Sequence, residues 1–127
     1  MNKRVVHLLI ILIFLVAAAE SCTYKKIDED PALPENVSFQ NDLIPLFNNS
    51  CNSAGCHNTN GVPPDLSEAN AYDDIMGTSG MVDIVHPEKS ELYTRMIDTQ
   101  NPMPPAGVMS YPASQVLSWI TDGAKKN

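Results

Sequence analysis

The chain has 127 residues, and its 15 acidic and 8 basic side chains give it a formal net charge of −7. This length is enough for one small domain and a tether. An acidic chain repels polyanions, so nucleic acid and anionic lipid surfaces are not expected partners. A basic protein or a neutral surface is compatible with this charge.

The first residues predict a signal peptide rather than part of a fold. Lys3 and Arg4 precede an unbroken apolar run of 12 residues, from Leu8 to Ala19. A membrane span needs roughly 20 apolar residues, so this run fits the apolar region of a signal peptide better. It ends in "AAESCTY", where Cys22 resembles the lipidated cysteine of a bacterial lipobox. We therefore expect residues 1–21 to be a lipoprotein-type signal peptide; ordinary cleavage nearby, with Cys22 left as a thiol, is the alternative.

Residues 22–36 are predicted to form a flexible acidic tether, because they combine high charge, two prolines and little hydrophobic periodicity. Their acidic run "DED" resembles the export signals of surface lipoproteins in Bacteroidetes, although a simply solvated linker is an equal alternative. The expected location is the outer membrane, on its periplasmic or cell-surface side, with the lipid on Cys22 as the anchor. From residue 22 onwards the chain has 14 acidic and 6 basic residues, so the exported part is still more acidic.

Hydrophobic spacing in residues 37–127 predicts an all-α domain with three or four short helices and long loops, since no alternating strand pattern is present. The first helix is expected in "FQNDLIPLFNNS", with Asp42 as its N-cap and Pro45 in its first turn. A second helix is expected from Ser67 to Met76.

The remaining two helices are predicted from apolar residues at helical spacing. "PEKSELYTRMI" has Leu92 and Met96 on one face, and it follows a turn and a short extended segment in "GTSGMVDIV". "ASQVLSWITDGAKKN" is amphipathic and is expected to end at Gly123. The apolar face of this last helix is formed by Val116, Trp119 and Ile120.

The stretch "NNSCNSAGCHNTNG" contains the strongest chemical motif, in which four residues separate Cys51 from Cys56 and His57 follows at once. A plain disulfide is possible in an exported chain, but it leaves His57 without a role. A zinc site would need a fourth ligand, from His86 or a carboxylate. Covalent haem attachment uses two thiols and an adjacent histidine, with a standard spacing of C-x-x-C-H. The small residues between the two cysteines would allow the longer loop to bulge.

A low-spin haem iron also needs a sixth ligand, and methionine is a common one. Met103 lies in "NPMPPAG", where three prolines restrict the backbone around its thioether. His86 and Met109 are the alternatives for this ligand. The other methionines of the domain are predicted to fill the core: Met76, Met81 and Met96.

Three stretches together, "NDLIPLFNNSCNSAGCH", "LYTRMIDTQNPMPP" and "VLSWITDGA", resemble the small haem-binding c-type cytochrome domains of Bacteroidetes and Planctomycetes. The resemblance covers residues 37–124 and implies a cytochrome c-like fold, in which the N- and C-terminal helices cross beside one covalent haem. It implies that Cys51 and Cys56 form thioethers with the haem, that His57 is the proximal iron ligand and that Met103 is the distal one. The four-residue spacing departs from the standard motif.

The sequence thus predicts an exported monohaem c-type cytochrome, an electron carrier rather than an enzyme, with redox proteins as its partners and one haem c as its cofactor. From residue 22 onwards the chain has one tryptophan and two phenylalanines, a small apolar set that a large apolar cofactor would complete. Two other functions stay open. One is a haem sensor or peroxidase-like protein with an open coordination site, and the other is a haem-free surface or binding lipoprotein stapled by a Cys51–Cys56 disulfide.

Overall fold

The computed structural model describes residues 32–127, so the predicted signal peptide, the predicted lipidation site Cys22 and most of the predicted tether lie outside the described residues. This part of the chain contains four α-helices and no strand, and the all-α prediction is confirmed. A π-helical turn (Phe39–Leu43) leads into the first α-helix, and a 3-10 turn (Pro87–Lys89) precedes the third. The α-helices are α1 (Ile44–Ser50), α2 (Ala71–Gly77), α3 (Glu91–Ile97) and α4 (Ser110–Thr121). Between residues 32 and 127 no helix has both the length and the apolar character that a membrane crossing requires.

The first helical segment begins at Ser38, so the prediction of Asp42 as its N-cap is wrong. The Ser38 hydroxyl accepts a hydrogen bond from the Asn41 N–H at 3.1 Å. The Asp42 carboxylate reaches back and accepts from the Ser38 N–H at 2.8 Å. This reciprocal arrangement resembles a capping box, in which a serine caps the turn and an acidic residue inside the turn satisfies the serine N–H. Pro45 lies at the start of α1, where its missing N–H is tolerated.

An aromatic cluster holds the first helical segment against the last. The Phe39 ring lies 5.2 Å from the Trp119 ring and 5.2 Å from the Tyr72 ring, centroid to centroid. Such pairs add about 0.5–1.5 kcal/mol to what the burial of their apolar area contributes. The predicted inward face of α4 is confirmed, because Val116, Trp119 and Ile120 are all buried.

The chain turns sharply at Gly123, as the sequence predicts, and then folds back over the aromatic cluster. The Gly123 N–H donates to the Ile120 carbonyl at 3.0 Å and the Ala124 N–H donates to the Trp119 carbonyl at 2.9 Å, which is the Schellman pattern of a helix end. The positive φ of 95° at Gly123 is a conformation that glycine adopts without steric cost. The following residues reach the first helical turn, where the Asn127 carbonyl accepts from the Gln40 N–H at 2.8 Å.

The middle helices differ from the prediction in two details. α2 begins at Ala71 rather than at Ser67, because the Ser67 carbonyl accepts from both Asn70 and Ala71 and closes a separate turn first. Met76 is 40% exposed and so does not fill the core. In the stretch of residues 77–85, where a turn and a short extended segment are predicted, Gly77 ends α2 and the other residues form turns, bends and irregular chain with no strand. In α3, Leu92 and Met96 are buried as predicted.

Candidate functional site

A cavity of about 460 Å³ opens beside the cysteine loop, and it brings the four predicted haem residues together. Its walls come from the end of α1, the loop that follows α1, α3 and the loop after α3. Pockets that hold small ligands and cofactors measure about 300–1,000 Å³ and are mostly apolar, so this cavity is of suitable size and character. The predicted residues that line it are Cys51, Cys56, His57 and Met103.

The four residues between the cysteines form a tight loop that brings the backbone of His57 next to that of Cys51. The Cys56 N–H donates to the Ser53 carbonyl at 2.8 Å, and the His57 N–H donates to the Cys51 carbonyl at 3.1 Å. Gly55 has a φ of 82°, a conformation that side chains disfavour and glycine permits. The longer spacing is therefore compatible with both thiols and the imidazole lining one cavity, as the small residues of this loop predict.

The His57 ring is held by one hydrogen bond, between its Nδ1 and the Val62 carbonyl at 3.0 Å. A carbonyl oxygen can only accept, so Nδ1 carries the hydrogen and the Nε2 of the neutral ring has a free lone pair. This is the tautomer that a metal-binding histidine adopts when a carbonyl group orients it. The loop from His57 to Val62 is closed on the other side by the Val62 N–H, which donates to the Cys56 carbonyl at 2.8 Å.

Pro63 and Pro64 line the cavity, and the residues that follow them, 65–70, are held in place by the Asp65 carboxylate. Asp65 accepts from the Ser67 N–H at 2.9 Å and from the Asn70 side-chain amide at 2.8 Å. Hydrogen bonds from Ser67 above all hold the pKa of this carboxyl at about 2, because they favour its charged form. The turn keeps the neighbouring Leu66 buried at the cavity wall.

Cys51 and Cys56 are free thiols, so no disulfide joins them in the structure. Cys51 is half-buried, whereas Cys56 is exposed. Burial, with a smaller contribution from the neighbouring Cys56, raises the pKa of the Cys51 thiol to about 11. Cys51 is therefore protonated at neutral pH and is a poor nucleophile for disulfide exchange.

Met103 is tied to α3, because its N–H donates to the Arg95 carbonyl at 2.8 Å. The two alternative distal ligands lie elsewhere. His86 is exposed, with its Nδ1 3.5 Å from an Asp83 carboxylate oxygen, and Met109 packs against the hydrophobic core. Neither of them lines the cavity.

Four cavity residues outside the predicted set bring sulfur or charge to its wall. Met81 and Met96 are buried as expected of core residues, yet they also form part of the cavity wall. Glu91 and Arg95 lie one helical turn apart on α3 and bring charge to the same wall. Their spacing of four residues was a signal that both share one helix face, but nothing in the sequence shows that this face borders a cavity.

Within residues 32–127 no three His, Cys, Asp or Glu side chains lie close enough together to hold a metal ion by themselves. Comparison with models of protein families, with curated proteins and with solved structures finds no match for this chain. The chemistry of the cavity residues is therefore the basis for a functional assignment.

Gly61 offers a test of the loop that orients His57. A Cβ at this position would overlap the Cys56 carbonyl oxygen and the Asn58 side-chain oxygen. We expect Gly61→Ala to lower the free energy of unfolding by about 1–3 kcal/mol, as overpacking does elsewhere. Chemical denaturation followed by circular dichroism measures this change.

Gly77→Ala is the matched control, because a Cβ at the end of α2 meets no atom within 4 Å. This variant should be neutral or more stable by up to about 1 kcal/mol. Equal stabilities of the two variants would contradict the packing that we describe around Gly61.

Proposed function

We propose that this chain is an exported monohaem c-type cytochrome that carries electrons. Cys51 and Cys56 would bind the haem through thioethers, and His57 and Met103 would be the two axial ligands of the iron. The observation that carries the proposal is one cavity whose lining includes two free thiols, an imidazole with an available Nε2 and a thioether. When bound, the haem supplies an iron that alternates between the ferric and ferrous states.

The cavity fits such a group in size, polarity and donor chemistry. Its volume is about 460 Å³, and much of its wall is formed by buried apolar side chains, such as Phe47, Leu66 and Leu92. Apolar walls favour the burial of a porphyrin plane. The contact of the first and last helical segments through Phe39 and Trp119 further supports a cytochrome c-like arrangement.

The two thiols would make the attachment covalent. Each thiol would add across one vinyl group of the haem, with its sulfur bonded to one carbon and its hydrogen transferred to the other, so that no atom is lost. Before attachment, the high pKa of Cys51 keeps its thiol protonated. A protonated thiol does not readily form a disulfide, because disulfide formation requires a thiolate.

The axial residues would set the electronic properties of the site. The Val62 carbonyl keeps the Nε2 of His57 as the free donor, and the Arg95 carbonyl holds the backbone of Met103. A methionine opposite a histidine raises the reduction potential of haem iron. If His57 and Met103 filled both axial positions, as proposed, no position would remain open for a peroxidase or sensor, and electron transfer would be the favoured function.

The chain would act outside the cytoplasm, anchored to the outer membrane by a lipid on Cys22, and would exchange electrons with other redox proteins. The anchor and the tether belong to the proposal on sequence grounds alone. The acidic character of the chain favours redox partners with a basic or neutral docking surface.

Covalent attachment is tested by a haem stain of denaturing gels after export with a cytochrome maturation system. The wild-type chain should stain, the double variant Cys51→Ala/Cys56→Ala should lose the stain, and Ser53→Ala should stain like the wild type. Ser53 is the control because it is an exposed residue of the same loop. An exported wild-type chain that carries no covalent haem would rule out the cytochrome proposal.

The distal ligand is tested by Met103→Leu, because leucine fills similar space but cannot bind iron. We expect the holo-protein to change from a low-spin to a largely high-spin spectrum and its midpoint potential to fall. Met109→Leu is the matched control, since Met109 lies outside the cavity lining, and it should leave both unchanged. An unchanged low-spin spectrum in Met103→Leu would exclude Met103 as a ligand.

A further inference from the structure

The cavity contains more sulfur than one haem would use. Two thiols and three thioethers line it, whereas the proposed cytochrome uses both thiols and one thioether. Soft ligands of these two kinds select soft metal ions such as Cu(I), while oxygen ligands suit Mg²⁺, Ca²⁺ and Mn²⁺. The sulfur-containing residues of the lining are Cys51, Cys56, Met81, Met96 and Met103.

The two thiols come from one tight loop and lie near each other. The His57 N–H donates to the Cys51 carbonyl at 3.1 Å, so the residue after Cys56 is held against the first cysteine. Cys56 also adds to the raised pKa of the Cys51 thiol through charge repulsion, an effect that requires proximity. Neither sulfur is part of a disulfide, so both are available as metal ligands.

The three thioethers belong to α3 or to segments that are hydrogen-bonded to it. Met96 lies in α3 and is buried. The carbonyl of Met81, which is also buried, accepts from the Leu92 N–H at 3.1 Å. The Met103 N–H donates to the Arg95 carbonyl at 2.8 Å. One helix therefore positions all three thioethers at the cavity that the thiols also line.

This set of ligands favours Cu(I) over zinc. Structural zinc sites use four ligands from cysteine, histidine and carboxylate side chains. Within residues 32–127 no three side chains of these kinds lie close enough together to hold a metal ion, so His57 does not complete a zinc site with the two thiols. The further donors in the cavity are methionine sulfurs, which are soft and uncharged. Cu(I) prefers sulfur and accepts few ligands, so two thiolates and one thioether satisfy it.

We propose that the chain without haem binds one Cu(I) ion in this cavity, through Cys51, Cys56 and one of the thioethers held by α3. The ion bonds to both cysteine sulfurs, the two thiol hydrogens leave as protons, and no oxidation state changes. Haem attachment would convert the same sulfurs into thioethers, so haem and Cu(I) exclude each other. The inference goes beyond the proposed cytochrome function and does not depend on it.

The test uses the full chain, exported by a host that lacks a cytochrome maturation system and reduced without oxygen. Cu(I) is offered as the complex of a chelator whose colour is lost when the protein removes the ion. The wild type should remove one equivalent, and Cys51→Ala/Cys56→Ala should remove none. Ser53→Ala should match the wild type, because Ser53 is an exposed residue of the same loop.

X-ray absorption at the copper edge identifies the ligands in the loaded wild type. We expect a shell of sulfur atoms alone, with one more sulfur than the two thiolates supply. The variant Met81→Leu/Met96→Leu/Met103→Leu should lose that additional sulfur. Met109→Leu should keep it, since Met109 lies outside the cavity lining. If the triple variant does not accumulate, the wild-type spectrum decides, and a shell with nitrogen ligands would overturn the proposed ligand set.

No uptake of Cu(I) by the reduced wild type, or equal uptake by the double cysteine variant, would also overturn the inference. The matured chain that stains for haem should remove no Cu(I), because its thiols are consumed, and uptake by it would contradict the shared site. The two proposals fail separately. Uptake of Cu(I) by a chain that never stains for haem sinks the cytochrome alone, and a staining chain whose haem-free form takes up no Cu(I) sinks the copper site alone.

Discussion

The hydrogen bond between His57 Nδ1 and the Val62 carbonyl, 3.0 Å long, is the interaction on which the site depends. It determines which ring nitrogen would be free to bind the proposed iron, and it requires the chain to return to His57 within five residues. That return is closed by the bond from the Val62 N–H to Cys56, and Gly61 gives it the space it needs. The cysteine loop, the histidine and the following turn are therefore one structural unit.

The rest of the fold supports this unit from two sides. The aromatic cluster of Phe39, Tyr72 and Trp119 joins the first helical segment to α4, and α1 leads from that cluster directly to Cys51. On the other side, the backbone hydrogen bond between Met103 and Arg95 ties the loop of residues 98–109 to α3. The large aromatic side chains thus form one dense core, and the space between the cysteine loop and α3 remains as a cavity of cofactor size.

The sequence alone was sufficient to select the thiol, imidazole and thioether side chains that line the cavity. Cys51, Cys56, His57 and Met103 could be found from motif and local backbone alone, and they line one cavity. The apolar face of α4 and its end at Gly123 were also predictable, because helical periodicity and the conformational freedom of glycine are local properties. The loop between the cysteines was harder, although its small residues indicated a bulge.

Other features could not be predicted because they depend on packing between distant segments. Met81 and Met96 have the pattern of core residues, and periodicity cannot distinguish a core wall from a cavity wall. The sequence of α3 gives Arg95 the pattern of a solvated residue, because it does not show that the loop of residues 98–109 lies beside it. Serine and aspartate are both good N-caps, so the sequence does not distinguish Ser38 from Asp42; Ser38 is the cap because the first turn begins at Phe39. The exposure of Met76 likewise depends on what lies opposite the end of α2.

The most direct test of the account is a crystal structure of the exported, matured protein with diffraction data collected at the iron absorption edge. The account predicts one iron site in the cavity, bonded to Nε2 of His57 and to the thioether sulfur of Met103, with continuous density from Cys51 and Cys56 to the porphyrin. A cavity without an anomalous peak, or a Cys51–Cys56 disulfide in the matured protein, would contradict it.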